Sequence, residues 1–234
     1  MGGNIGGYSI EELNSMNYSM HDNLDNDDFL RTEVSCDYVV TDNIGANFNR
    51  GFSHFLCYNI RSMKQNWASF KVEILDNKNG MSFDLIGLCE SHLTDVTENL
   101  YPLDHYDLYT VNKSSDKGGV CIYVKENIQS RLRSDLCRSF EYLETVFIEC
   151  LINNRPVVIG MVYHRPGTSF QQFIDGLSEI LENVSSNCIL MGDFNLNLLN
   201  HQFDNNIGNF MHLLSIFITQ SLLSLHGFTI EPLP

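Results

Sequence analysis

The sequence predicts an α/β domain over residues 51–234, in which short buried strands alternate with helices. Apolar runs of strand length recur along this region. Two of them are followed by Ser/Thr-x-x-Gln patterns that typically open a helix. Several runs also end in a polar residue, which suggests a layered sheet structure with one site at its rim. The composition, 43% hydrophobic and 11% aromatic, is that of a globular chain large enough to bury a core.

The apolar runs predict six strands, over residues 52–58, 83–89, 120–124, 140–150, 157–163 and 189–191. Asn153-Asn154-Arg155 predicts a hairpin between the fourth and the fifth of these strands. Gly192 is expected to let the backbone turn sharply after the sixth. The segment between residues 90 and 116 is expected to be a loop region.

Helical periodicity predicts three helices. The first opens with a capping box at Ser62 and Gln65, and the second, which has the clearest apolar stripe, opens at Thr168 and Gln171. A last helix-like apolar segment covers about residues 207–223.

Residues 1–50 are expected to be an acidic, mostly disordered leader. They are rich in Asn, Asp, Ser and Gly and show neither a helical nor a strand period. The chain has a formal net charge of -15, and the leader supplies about half of that imbalance. Such a charge argues against non-specific nucleic-acid binding, because phosphate contacts come from Lys and Arg.

Four strand signals end in polar residues, namely Asn59, Glu90, Tyr163, and Asp193 together with Asn195. A carboxylate such as Glu90 suits a hard cation such as Mg²⁺, and a second one, Asp193, suits the orientation or deprotonation of a water. Amide and phenol groups can hydrogen-bond a phosphate as charge develops. This set therefore favours metal-dependent cleavage of a phosphodiester.

Each of these residues also has a plain structural interpretation. Asp193 and Asn195 are typical of an Asx turn after a strand. Glu90 can be a solvated strand end, Tyr163 a half-buried structural aromatic, and Asn59 a turn residue at the entry to a helix.

Five motifs occur in order: Tyr58-Asn59-Ile60-Arg61-Ser62, Leu88-Cys89-Glu90-Ser91-His92-Leu93, Lys117-Gly118-Gly119-Val120-Cys121-Ile122-Tyr123-Val124, Val162-Tyr163-His164-Arg165-Pro166 and Met191-Gly192-Asp193-Phe194-Asn195. With them the chain resembles the endonuclease/exonuclease/phosphatase superfamily, and most of all the endonuclease domain of non-LTR retrotransposons. The resemblance covers roughly residues 51–200.

The resemblance implies a four-layer α/β sandwich, in which two packed, mostly antiparallel sheets are flanked by helices. It also implies a DNA endonuclease that depends on Mg²⁺ or Mn²⁺. Carried over by motif, Glu90 is the metal ligand and Asn59 its neighbour at the phosphate. Tyr163 contacts the scissile phosphate, and Asp193 and Asn195 position and activate the water.

His164 and Arg165 are expected as further phosphate contacts in the same motif. The chain departs from the family pattern in two places. Arg61 stands where some relatives carry a second metal-binding acid, and no Ser-Asp-His motif follows Asn195. The expectation is therefore a domain that is truncated at its C-terminus and lacks its last strands. This leaves open a catalytically inactive remnant that acts as a binding module, and a phosphatase for small substrates, which the acidic charge favours.

The seven cysteines form no Cys-x-x-Cys pair, which argues against a zinc site. Five lie in or beside apolar runs and are expected as buried free thiols in a reducing compartment: Cys57, Cys89, Cys121, Cys150 and Cys188. No signal peptide or membrane span is evident, so an intracellular location, nuclear or cytoplasmic, is expected.

Overall fold

The computed structural model describes residues 4–5, 8–9, 53–75, 83–111, 117–184, 187–196 and 207–214. For residues 4–5, 8–9 and 73–74, only the backbone is described. The remainder of the predicted leader and the part of the last predicted helix beyond residue 214 lie outside these ranges.

The chain divides into two compact units, of which one holds residues 1–51 with 77–81 and the other residues 52–76 with 82–234. In the smaller unit, β1 (Asn4–Ile5) pairs antiparallel with β2 (Tyr8–Ser9). The sequence did not predict this pair of strands.

The larger unit contains the candidate functional residues. Its strands are β3 (Phe55–Asn59), β4 (Leu85–Cys89), β5 (Tyr106–Thr110), β6 (Val120–Lys125), β7 (Ser130–Leu132), β8 (Arg138–Ser139), β9 (Glu144–Ile152), β10 (Arg155–Tyr163) and β11 (Cys188–Asp193). Its helices are α1 (Met63–Phe70), which continues into a π-helical segment at Lys71–Leu75, the 3₁₀ turn Glu98–Leu100, α2 (Phe170–Glu182) and α3 (207–214).

These strands form two mixed sheets. The first has the order β3-β4-β6-β5, and the second has the order β11-β10-β9-β7, with β8 also paired to β9. Each sheet contains one parallel pair, β3 with β4 and β10 with β11, and its other pairs are antiparallel. The prediction of mostly antiparallel sheets is confirmed.

A hydrophobic core lies between the two sheets. Alternate residues of β6 face alternate residues of β9 and β10, as the two-residue period of a strand requires. Gly87 in β4 lets the sheets approach closely, because a Cβ there would lie 2.6 Å from Sδ of Met161. The side chain of Met161 thus occupies the space that a larger residue in β4 would fill.

Helices cover both outer faces. In α1, the ring of Trp67 stacks on Tyr123 of β6 at a centroid distance of 5.7 Å. In α2, the apolar stripe that includes Phe173 and Leu177 packs with Phe147 and Val162 of the second sheet. The order helix, sheet, sheet, helix confirms the four-layer sandwich. No helix in the described ranges is long and apolar enough to cross a membrane.

Two of the predicted helix caps differ from the structure. At α1, Ser62 is the N-cap residue, but its side chain makes no capping hydrogen bond, and its carbonyl accepts from the amides of Gln65 and Asn66 instead. At α2 the cap is Ser169, one residue after Thr168, and its Oγ accepts from the amide of Gln172 at 3.3 Å. Its extended backbone is what an N-cap requires.

The sequence missed β5, which lies where a loop was expected. Gly192 was also expected to make a turn, but it lies within β11. There its φ is 152°, and a Cβ would collide with the carbonyl of Val162 on the adjacent strand. Glycine is needed at this position for the close approach of two strands.

The hairpin between β9 and β10 forms as predicted, with positive φ at both Asn153 and Asn154. All six described cysteines are free thiols, and Cys89, Cys121 and Cys150 are buried as predicted. Cys57 is exposed on the edge strand β3, and Cys188 is only partly buried.

Candidate active site

The two parallel pairs bring four strand ends to one edge of the sandwich. Asn59 pairs with Cys89 at the ends of β3 and β4, and Tyr163 pairs with Asp193 at the ends of β10 and β11. Glu90 follows directly after β4. We call the edge formed by Asn59, Glu90, Tyr163 and Asp193 the rim.

Hydrogen bonds join the four side chains at the rim across the two sheets. Asn59 Nδ2 donates to Glu90 Oε1 at 2.8 Å and to Asp193 Oδ2 at 2.9 Å. Tyr163 Oη donates to Glu90 Oε1 at 3.2 Å. One amide thus lies between two carboxylates and offsets part of their mutual repulsion, while a phenol supports one of them.

The backbone around the rim adopts a conformation that is uncommon for side-chain-bearing residues. Five of the eight described non-glycine residues with positive φ lie beside these strand ends: Arg61, Ser62, Glu90, His92 and Asn195. Positive φ at such residues costs of order 1 kcal/mol each and tends to occur at functional sites. At Glu90, φ is 53°, so the alternation of side chains between the two faces of the strand ends after Cys89.

Asp193 forms the Asx turn that the plain interpretation proposed. The amide of Asn195 donates to Asp193 Oδ1 at 3.1 Å, while Asp193 Oδ2 accepts from Asn59. Both oxygens are therefore held, and the carboxylate is oriented. The turn and a functional role do not exclude each other.

The side chains of Asn195 and Asp193 do not point in the same direction, because the strand ends at Asp193 and φ of Asn195 is 49°. Its Nδ2 donates to the carbonyl of His164 at 2.7 Å. Asn195 therefore ties the segment after β11 to the segment after β10, next to the four rim side chains.

His164 is 5% exposed, and both of its ring nitrogens lie near protein oxygens. Nδ1 is 3.1 Å from the carbonyl of Phe194, and Nε2 is 3.3 Å from Oγ1 of Thr168. The ring also packs on Phe173 at a centroid distance of 4.7 Å. This geometry favours a structural role over the phosphate contact that the motif suggested.

Arg165 lies at the same edge, but its charge is paired. Its Nη2 is 3.2 Å from Oε1 of the buried Glu144 and 3.3 Å from the carbonyl of Lys117. A contact between Arg165 and a substrate phosphate stays a prediction.

Burial shifts the pKa of Tyr163 at the rim and that of His164 beside it. It is the largest cause that raises the pKa of Tyr163 far above its usual range, and the nearby Glu90 adds to the shift. The phenol therefore keeps its proton at neutral pH and remains a hydrogen-bond donor. Burial also lowers the pKa of His164, which favours a neutral imidazole.

Sequence reasoning missed Glu144. It is 2% exposed at the start of β9, it pairs in register with Tyr163, and its Oε2 accepts from the amide of Gly119. The only sequence signal was an acidic residue at the head of a mostly apolar strand. Its partners Gly119 and Arg165 are distant in the sequence, so the fold was needed to reveal it.

The donor chemistry at the rim fits a divalent cation such as Mg²⁺. Glu90 and Asp193 supply carboxylate oxygens near one point, where both approach the side-chain NH₂ group of Asn59. No group of three or more His, Cys, Asp or Glu side chains within the described ranges could hold a metal. Mg²⁺ does not need one, because it often binds through one or two carboxylates and keeps several waters.

The chain belongs to the Endonuclease/Exonuclease/phosphatase family, whose model matches residues 57–217. That range contains all four residues that define the rim. The resemblance inferred from the motifs is thereby confirmed at the level of the family.

Solved structures share the fold at low sequence identity. The endonuclease domain of TRAS1, a telomere-specific non-LTR retrotransposon, superposes with a TM-score of 0.55 at 12% identity, covering 70% of this chain and 72% of that one. The AP endonuclease LMAP from Leishmania major gives a TM-score of 0.52 at 16% identity, covering 76% and 70%. No curated protein sequence matches the chain.

Proposed function

We propose that the chain is a metal-dependent phosphodiester hydrolase that acts on DNA as an endonuclease of the retrotransposon type. The observation that carries the proposal is the amide of Asn59, which lies within 2.9 Å of Oδ2 of Asp193 and also bonds Glu90. It draws two carboxylates from different sheets, together with Tyr163, into one polar cluster at a strand edge. Members of this family typically depend on a divalent metal.

Glu90 is the residue that would hold the cation, with the carboxylate of Asp193 beside it. When bound, a divalent cation offsets the charge that develops on a phosphate during hydrolysis. Glu90 is prepared for this role, because Tyr163 and Asn59 both donate to Oε1 and thereby fix the carboxylate.

Asp193 is the residue that would orient and deprotonate the attacking water. The amide of Asn195 holds Oδ1 and the side chain of Asn59 holds Oδ2, so the carboxylate cannot rotate freely. A carboxylate held in this way is a positioned general base.

Tyr163 and Asn59 would donate hydrogen bonds to the phosphate. Both side chains already donate to carboxylate oxygens, and the raised pKa of Tyr163 keeps its phenol protonated. These donors lie at the rim before the reaction and would turn from the carboxylates to the phosphate as negative charge develops there.

DNA is the proposed substrate because both structures named above are endonucleases that share this fold. The test is nicking of supercoiled plasmid by the full chain in Mg²⁺, with EDTA as the metal-free control. Asp193→Ala should abolish nicking. Asp104→Ala is the matched control, because Asp104 is an exposed carboxylate that precedes β5 at the opposite edge of the first sheet, and it should leave the rate unchanged.

A folded wild-type chain that never nicks DNA in Mg²⁺ or Mn²⁺ would refute the endonuclease proposal. So would an Asp193→Ala variant that is as active as the wild type.

A phosphatase for a small phosphorylated substrate is the second candidate, and the net charge of -15 favours it. An acidic chain repels a polyanion more strongly than it repels a single phosphate group. Parallel assays with plasmid, inositol phosphates and phospholipid head groups decide between the two. Release of inorganic phosphate without nicking would assign the rim to the phosphatase.

A further inference from the structure

We propose that Glu144 is a positioning residue that fixes the two packed sheets relative to each other at the rim. It does so by joining the turn before β6 to the strand end that carries Tyr163. The inference rests on the proposed function only in the assay that measures DNA cleavage.

The carboxylate of Glu144 bonds groups that belong to both sheets. Its Oε2 accepts from the backbone amide of Gly119, just ahead of β6 in the first sheet. Its Oε1 accepts from Nη2 of Arg165 at 3.2 Å, just after β10 in the second sheet. A single buried side chain thereby bridges the two sheets.

The turn that Glu144 holds is itself bonded to the segment after Glu90. The amide of Ser91 donates to the carbonyl of Gly119 at 3.1 Å, and that of His92 donates to the carbonyl of Gly118 at 2.8 Å. These two residues follow Glu90 directly in the chain. A displacement of the turn would therefore move the backbone that presents Glu90.

The contacts close into a ring. Glu144 pairs with Tyr163 across β9 and β10, and Tyr163 donates to Glu90 at 3.2 Å. From Glu90 the chain leads through Ser91 to Gly119, and from Gly119 a hydrogen bond leads back to Glu144. Glu144 thus adds an indirect link between Glu90 and Tyr163 to their direct hydrogen bond.

The Gly-Gly sequence of the third motif fits this arrangement. Both glycines have positive φ, 76° at Gly118 and 90° at Gly119. A Cβ at Gly118 would meet both carboxylate oxygens of Glu144, and one at Gly119 would lie 2.6 Å from Oγ of Ser91. The turn can approach Glu144 this closely only without side chains.

Arg165 contributes to the same connection between the two sheets. Its side chain is 25% exposed, and besides Glu144 its Nη2 bonds the carbonyl of Lys117 in the turn. Arg165 therefore acts on the site through Glu144 and the turn, as a second positioning residue.

The test compares Glu144→Gln with wild type in the full chain. Glutamine keeps the size of the side chain but removes the charge, and its NH₂ group cannot accept from either donor. We expect kcat for DNA nicking to fall by about 10–100-fold, since small displacements of catalytic groups have effects of this order. We expect KM for DNA to change less than about twofold, because no charge that contacts substrate is removed.

The second readout does not depend on activity. Amide hydrogen exchange at Ser91 and His92 should become at least about tenfold faster in Glu144→Gln, because the turn that accepts from them loosens. Exchange in the middle of β10 should stay unchanged, whereas a general loss of stability would speed both.

Glu149→Gln is the matched control. Glu149 lies on the same strand about 16 Å from Glu144, and its side chain is 25% exposed and bonds Arg131 at 2.8 Å. The control loses the same charge and an ion pair, but it should leave kcat and the exchange at Ser91 and His92 as in wild type. If Glu144→Gln is not folded at the assay temperature, Arg165→Gln tests the link from its more exposed partner.

Unchanged kcat and unchanged local exchange in Glu144→Gln would overturn the inference. So would a loss that Glu149→Gln shares. If the wild type cleaves no DNA, the proposed function fails but the positioning role does not, because exchange at Ser91 and His92 then decides it alone.

Discussion

Replacing Asn59 with alanine tests whether its amide holds the two carboxylates of the rim together. The change removes hydrogen bonds of 2.8 Å to Glu90 and 2.9 Å to Asp193. It also removes the acceptor of the amide of Arg61 at 3.1 Å. The two carboxylates are then left close together without the donor between them.

The magnitude follows from the kind of bond that is lost. Hydrogen bonds to charged groups contribute about 1.5–3 kcal/mol each. Asn59 is only partly buried, and water replaces part of what is lost, so about 1 kcal/mol per bond is a fair expectation. We therefore expect the free energy of unfolding to fall by about 2–3 kcal/mol, as measured by urea denaturation.

Asn66→Ala is the control for this prediction. Asn66 Nδ2 also donates two hydrogen bonds, to the carbonyls of Ile60 at 2.8 Å and Arg61 at 3.0 Å, but both acceptors are neutral. We expect a smaller loss, about 1–2 kcal/mol. The two variants should also differ in their response to salt, because only Asn59→Ala leaves like charges unscreened by a donor.

The salt response decides the interpretation. At about 1 M salt the Debye length is about 3 Å, so part of the repulsion between Glu90 and Asp193 is screened. The deficit of Asn59→Ala should then shrink, while that of Asn66→Ala stays constant. Equal losses in both variants without any salt dependence would refute the bridging role of Asn59.

Three further predictions concern the elements that build the site. Gly192→Ala should lower the free energy of unfolding by about 3 kcal/mol or more, because its Cβ collides with the carbonyl of Val162. Gly167 also has a positive φ, 80°, but no atom lies within 4 Å of an added Cβ, so Gly167→Ala should cost only about 1 kcal/mol. Equal losses for the two variants in urea denaturation would contradict the close approach of the strands at Gly192. Ser169→Ala should cost about 1 kcal/mol through loss of the α2 cap, and an unchanged urea midpoint would show that the cap contributes nothing. The pKa of His164 is lowered from its ordinary value of 6.5, so below that pH the unfolded chain binds more protons than the folded chain. The free energy of unfolding should therefore fall as the pH drops below about 6.5, by at most about 1.4 kcal/mol per pH unit. His164→Phe should flatten that part of the pH profile of the unfolding free energy, and an unchanged slope would exclude His164 as its source.

The strands that carry the site could be predicted because they are short apolar runs, and the rim residues because each follows such a run. The edge strand β5 escaped notice because its sequence, Tyr-Asp-Leu-Tyr-Thr, mixes a charge into a partly exposed strand. Local chemistry also left the exact cap of α2 open, since both Thr168 and Ser169 are good N-cap residues. Only the backbone conformation selects Ser169.

The grouping of the strand ends could be predicted, but most individual contacts between distant parts of the chain could not. Glu144 has no signature of its own, because what distinguishes it is burial against Gly119 and Arg165. Gly192 was placed in a turn because glycine is common in turns, whereas its actual reason is a carbonyl on the neighbouring strand. Asp193 and Asn195 were predicted together at the end of one strand, but the strand ends at Asp193 and the two side chains bond different partners.

The most direct test of the account is the binding of Mn²⁺ to the full chain, measured by electron paramagnetic resonance and compared with Glu90→Gln. Glu126→Gln is the control, because Glu126 follows β6 at the opposite edge of the first sheet, and its side chain is 60% exposed. We predict that the wild type and Glu126→Gln bind the ion with the same affinity, and that Glu90→Gln binds it at least about tenfold more weakly, since it loses a carboxylate ligand. Equal binding by all three would place the cation elsewhere and contradict a catalytic metal at the rim.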